Sequence, residues 1–230
     1  MERVALLAPD LIVGIGASLS RETYDALSAI APVLMPDGAP GTFTPWDEAV
    51  ARIGLALGQP GRAAALVADT LRRFAEARAR HPGWAGRSAV AAYNLGGETG
   101  AFTGQDTRGR FLTELGFAVP ASLQRLSGAR GFYAALSPED LSPLEADLLV
   151  WVSTGGTERD IAALPMRPFL RAHREGREVL ASGVVAGALS FGSVLSLPFA
   201  LAALEAEFAT ALDGDPATLV PSAVRAGLAP

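Results

Sequence analysis

The 230-residue sequence contains no cysteine and no lysine, and only two histidines, His81 and His173. Without cysteine, neither a disulfide framework nor a thiolate metal site is possible. With no pair of nearby histidines to supplement them, a structural zinc site is excluded as well. Both imidazoles read as solvated or capping groups, His81 at a helix end and His173 in the polar HREGR turn. All positive charge is arginine, spread evenly and outweighed by carboxylates to a formal net charge of −5. That balance argues against a nucleic-acid surface. The longest apolar run, VVAGALSFGSVLSLPFALAAL from Val184 to Leu204, is broken by Gly, Ser and Pro and has no basic flank, so it reads as buried core, with no direct membrane span. The N-terminus shows no charged start followed by an apolar stretch and a small-residue cleavage site. MERVALLAPDLIVG enters an apolar run within one short helical turn. A terminus beside a buried strand leaves core uncovered, and further chain upstream is therefore expected.

What is present is an alternation of strand and helix signals. Asp10 to Gly14 and Ala31 to Met35 read as short strands, separated by a Ser20-capped helix and followed by the Pro/Gly loop PDGAPGTFTP. Thr44-Pro45-Trp46-Asp47 has the chemistry of a helix start, with a Thr cap and Pro at the first helical position; that helix stops at Gly58. From Pro60 to Arg80, Ala63, Leu66, Leu71 and Phe74 recur at helical spacing opposite an Arg-rich face. Such a helix is a rod of roughly 30 Å, read as a brace between two lobes. A second series follows: strands near Ser88–Tyr93, Gly131–Ala135, Asp147–Val152 and Glu178–Ser182, and helices near Arg108–Leu115 and Ser193–Leu212. The expected fold class is α/β: two Rossmann-like lobes with mostly parallel sheets joined by one long helix, the first lobe incomplete. The boundaries are 1–58 for the partial N-terminal lobe, 59–82 for the bridging helix, 83–215 for the C-terminal lobe, and 216–230 for a loosely packed tail.

No catalytic signature emerges. GIGAS after the first strand lacks the third glycine of the dinucleotide fingerprint, and GALSFGS holds no nucleophile elbow. An enzyme reading would need Glu98, Asp106 and Arg108 as an acid/base cluster facing a pocket. Otherwise four Gly-rich loops fall at strand C-termini, where open parallel sheets bind ligands: residues 14–18, 94–108, 153–159 and 184–193. That arrangement suits binding without turnover.

Six segments in order, ERVALLAPDLIVG, YDALSAIAPVLMP, TPWDEAVARIGLALG, DTRGRFLTELG, LSPEDLSPLEADLLVWV and SLPFAL, resemble the substrate-binding proteins of iron-siderophore, haem and cobalamin ABC importers. The resemblance runs through about residue 212. It implies the two-lobe fold with a helical bridge, and an upstream segment holding the export signal, often a lipid-attachment Cys, and further strands. It implies extracytoplasmic work in the cell envelope, with a ferric siderophore and a membrane permease as partners. It also implies that Glu2 and Glu139 dock on permease arginines, one from each lobe; alternatively each is a helix-start acid favoured by the dipole. For the cleft, the candidates are Trp46, Tyr93, Phe102, Arg108 and Phe191. A guanidinium meets a negative chelate and aromatic faces pack its skeleton, while the alternative for Trp46, Tyr93 and Phe191 is plain packing and for Arg108 a surface charge. The third and fourth loops are small or apolar until Arg159. A hydroxamate or lipid-tailed siderophore is thus expected before a highly anionic catecholate, with haem next and cobalamin a further alternative. No cofactor is expected, iron entering only within the chelate.

Overall fold

A computed structural model describes residues 1–17, 19–36, 44–128 and 131–230. Most of the expected Pro/Gly loop, residues 37–43, and Ser18 of the GIGAS loop lie outside the described residues. The chain forms two compact units, Met1–Ala68 and Asp69–Pro230.

In the first unit α1 (Glu2–Leu6) precedes β1 (Ile12–Val13), α2 (Arg21–Ser28), β2 (Val33–Leu34) and α3 (Trp46–Ala56). The two strands pair in parallel, Ile12 opposite Val33 and Val13 opposite Leu34. Ser20 caps α2 as its sequence position predicts, its Oγ accepting from the Thr23 N–H at 3.1 Å. Pro45, rather than Thr44, is the N-cap of α3, so Trp46 and not Pro45 is the first helical residue. A Cβ built on Gly54 of α3 would stand 2.3 Å from the Ala63 Cβ, so only glycine permits this approach of α3 to α4 (Pro60–Arg80).

The boundary between the units falls within α4, whose ends coincide with the expected helix. Its buried positions are Ala63, Thr70, Phe74 and Ala77, one stripe at spacings of three, four and seven. Leu66 falls off that stripe and is 41% exposed, contrary to its expected place on the apolar face.

The second unit is built on a five-stranded sheet, ordered β5-β4-β3-β6-β7. β3 (Ala89–Leu95), β6 (Leu148–Ser153) and β7 (Glu178–Ser182) form a parallel block, and β4 (Glu98–Phe102) and β5 (Tyr133–Leu136) add to it antiparallel. The uninterrupted burial of LLVWVS in β6 is what a parallel strand covered on both faces requires. Between the strands lie α5 (Thr107–Glu114), α6 (Ala121–Leu126), α7 (Glu158–Ala162) and α8 (Arg171–Arg174); α9 (Gly183–Ser190), α10 (Ser196–Ala211) and α11 (Pro221–Ala226) follow β7. Phe208 of α10 centres an aromatic core, its ring edge-on to Trp84, Phe111 and Phe117 at 6.1 to 6.4 Å.

Four further expectations change. Residues 94–108 are not one long loop: β3 turns at Gly96 and Gly97, both at positive φ (61° and 83°), straight into β4. Two consecutive left-handed residues are what a two-residue hairpin demands. Residues 184–193 are mostly α9, a helix made by burial of Ala186, Ala188 and Leu189. The C-terminal segment is packed, not loose, since Val220, Ala223 and Leu228 are buried and Ser222 Oγ accepts from the Leu180 N–H of β7 at 3.0 Å. His173 is not solvated. It hydrogen-bonds Glu178 at 2.7 Å, and the same buried carboxylate accepts from Trp151 Nε1 at 2.7 Å and Arg167 Nη1 at 2.6 Å. Arg167 Nη1 also reaches the Leu228 carbonyl at 3.0 Å, tying the C-terminal segment to this network.

Candidate functional site

Strand alternation builds the floor of the site. Tyr93 lies opposite Gly100, Ala91 opposite Phe102, and Phe102 opposite Tyr133. Opposed residues share a face, so Tyr93, Phe102 and Tyr133 stand on one side of the sheet. The Tyr93 and Phe102 rings are 5.1 Å apart and Tyr93 to Tyr133 is 6.3 Å. Tyr93 lies flat over Gly100, where a Cβ would come within 2.5 Å of its phenol and 2.6 Å of the Ala134 carbonyl. Any side chain at position 100 would lift the aromatic floor.

These three rings, with Leu95, Val152 and Thr154, line a pocket of about 220 Å³ that also takes in Glu98 and Arg108. Arg108 is delivered by the start of α5. Asp106 is the N-cap there, accepting from the Arg108 N–H at 2.8 Å, and both its oxygens accept from Arg108 Nη1 at 3.0 Å. Arg108 Nε donates to Ser190 Oγ of α9 at 3.2 Å, and the guanidinium carbon lies 4.0 Å over the Phe102 ring. Burial pushes the Asp106 carboxyl up from its ordinary range, while the Arg108 charge and the hydrogen bonds from its backbone and side chain pull it down. Glu98, at the hairpin tip, accepts from Tyr93 Oη at 2.6 Å. The pocket is therefore an aromatic surface with one guanidinium already paired and one carboxylate at its rim.

Of the five residues expected to meet ligand, Tyr93, Phe102 and Arg108 share this pocket. Phe191 follows α9, one residue from the Ser190 that holds Arg108, and is 81% exposed. Trp46 is buried at the first turn of α3, in the first unit. Glu2 is exposed in the first turn of α1, and Glu139 is exposed beyond β5, its N–H donating to Ser137 Oγ at 3.3 Å. Of the acid/base cluster an enzyme reading needs, Glu98 and Arg108 both line this pocket. Asp106 and Arg108 pair with each other, but Glu98 bonds Tyr93 instead. Tyr133 was not singled out from the sequence, and its only signal there is the strand register of GFYAAL against β4. Among the described residues no group of three or more His, Asp or Glu stands ready to hold a metal ion, and no helix is long and apolar enough to cross a membrane.

A family model for periplasmic binding proteins matches residues 1–177. The crystal structure of a periplasmic solute binding protein from Mycobacterium smegmatis is similar, with 30% identity and a TM-score of 0.77 over 92% of this chain and 72% of that one. PiaA from Streptococcus pneumoniae, solved in complex with ferrichrome, shares the fold at 22% identity and a TM-score of 0.78, over 93% of this chain and 73% of its own. SirA from Staphylococcus aureus, solved with staphyloferrin B, shares it at 22% identity and a TM-score of 0.70, over 94% and 75%. No curated protein sequence matches the chain.

Proposed function

The chain belongs to the periplasmic binding protein family, and we propose that it is the substrate-binding component of an ABC importer, capturing a ferric siderophore outside the cytoplasmic membrane and delivering it to a permease. The observation that carries this reading is the pocket in which Tyr93, Phe102 and Tyr133 make an aromatic floor beneath Arg108. Ring faces pack an organic chelate skeleton and a guanidinium hydrogen-bonds its oxygens. The ferrichrome bound by PiaA and the staphyloferrin B bound by SirA, proteins of the same fold, support the ligand class. The iron arrives inside the chelate, so the protein needs no metal ligands of its own, and no bond is made or broken.

The charge balance favours hydroxamate or lipid-tailed chelates over catecholates. A ferric tris-catecholate is strongly anionic, and Arg108, the one guanidinium among the described residues that line the pocket, already shares its charge with Asp106. Phe191 belongs to the reading as a further contact, and α4 as the segment joining the two lobes. Glu2 and Glu139 are proposed to dock on arginines of the permease.

The test is a tryptophan-fluorescence titration with a ferric hydroxamate, a ferric catecholate, a lipid-tailed ferric siderophore, haem and cobalamin. Saturable quenching by the hydroxamate or the lipid-tailed chelate at micromolar concentration or below is expected; silence across the panel refutes the reading. Glu2→Ala or Glu139→Ala should lower transport and leave chelate affinity unchanged, and a parallel loss of affinity would remove the docking role.

A further inference from the structure

The pocket holds a carboxylate that capture of a neutral chelate does not use. Glu98 opens β4 directly after the Gly96-Gly97 turn, is exposed, and accepts one hydrogen bond, from Tyr93 Oη. Among the described residues no cation pairs with it. Arg108 is in the opposite condition. Its guanidinium meets both oxygens of Asp106, whose side chain is only 4% exposed, and its face is covered by Phe102. The pocket's positive charge is thus answered from within the protein, and its negative charge is left open.

The rings beside Glu98 strengthen that asymmetry. Tyr93 binds Glu98 directly and stands 6.3 Å from Tyr133, both lining the pocket. The negative faces of aromatic rings and a carboxylate attract the same partner, a cation. An anionic group entering here meets Glu98 at like charge and a guanidinium already engaged.

Resting on the reading of the chain as a ferric-siderophore binder, we propose that this pocket selects chelates by charge: its ligand is a ferric hydroxamate bearing a free protonated amine, and Glu98 is the residue that determines this specificity. The ammonium docks between the Glu98 carboxylate and the tyrosine rings, while the hydroxamate skeleton lies along Phe102 and Arg108.

The experiment titrates the full chain with ferrioxamine B, a ferric trihydroxamate ending in a primary amine, and with its N-acetylated form, which keeps the iron centre and loses the charge. The expected preference for the amine is about tenfold, the sum of an exposed ion pair and a cation–π contact. It should weaken with added salt. In Glu98→Gln the preference should fall to about threefold, what the cation–π contact alone supplies. Equal affinities in the unmodified chain, or a preference undiminished in Glu98→Gln, overturn the charge selection and leave the chelate-binding reading standing. If neither form binds, ferrichrome, a ferric trihydroxamate without an amine, decides the matter. Its binding overturns the charge selection alone, and its silence overturns the hydroxamate assignment too, leaving the rest of the panel to decide the binding reading.

Discussion

Substituting Gly109 by alanine tests whether α5, and with it Arg108, is seated as described. A Cβ at position 109 would lie 2.0 Å from the Thr103 carbonyl oxygen and 2.6 Å from its carbon. That is roughly 1.5 Å short of van der Waals separation. The obstructing atoms are backbone and cannot turn aside: the Thr103 N–H donates to the Phe132 carbonyl at 3.0 Å and its hydroxyl to the Gly131 carbonyl at 2.7 Å. Overpacking of this kind costs about 3 kcal/mol, the upper end for inserted methyl groups. For a chain of this size that lowers the thermal midpoint by about 6–12 °C. Gly187→Ala in α9 is the matched control, because beyond its chain neighbours and its own helix backbone nothing lies within 4 Å of its would-be Cβ. There the same substitution should gain about 0.5–1 kcal/mol from helix propensity alone. The assay is thermal unfolding followed by circular dichroism for both variants. A Gly109→Ala midpoint within about 2 °C of the unmodified chain would refute the close seating of α5, and with it the placement of Arg108 over Phe102.

Glu178→Ala should be the more damaging change, costing about 3–5 kcal/mol in denaturant unfolding, because it strands Arg167 and the Trp151 N–H in the core. Ser222→Ala should cost about 1–2 kcal/mol in the same assay by leaving the buried Leu180 N–H without its acceptor; no change would mean that the C-terminal segment is not seated on β7. The Arg80 hydrogen bond, helped by His81, holds the Glu205 carboxyl below its usual 4.5. A depressed folded-state value means a contribution present above pH 4.5 and lost as the pH falls through the lower value. Unfolding midpoints measured against pH should therefore show the unmodified chain losing more stability than Glu205→Gln in that acid range, and parallel curves would refute the coupling.

The elements legible in the sequence were those whose pattern is local and periodic. The ends of α4 were set by Pro60 and the break after Arg80, and β7 by a short apolar run between polar turns. The hairpin was missed because Gly96-Gly97 in a glycine-rich stretch reads as loop, although two glycines between strand-like runs are also a turn signal. For α11 the signals were present as Pro221 at the first position and Gly227, at φ 68°, just past the end. In α9 no local signal existed; valines and glycines became helix because its alanines and leucine are buried. The site followed the same division. Tyr93, Phe102 and Arg108 were identifiable as residues, but the partnership of Glu98 with Tyr93 and the arrival of Tyr133 beside Phe102 depend on strand register, which no single segment carries.

The hairpin has a consequence for how this pocket can change over evolutionary time. Most of the pocket's floor is carried by β3, at the edge of the parallel block, and by β4 and β5, the antiparallel additions beside it, while β6 of the block is buried along its length. Glu98 sits at the exposed tip of that addition, held by the hydrogen bond from Tyr93, while Gly100 two residues on has no room for a side chain. Under the proposed charge selection, ligand preference and structural integrity are encoded two residues apart. On that reading single changes at the tip retune which chelate is carried and keep the scaffold beneath it intact.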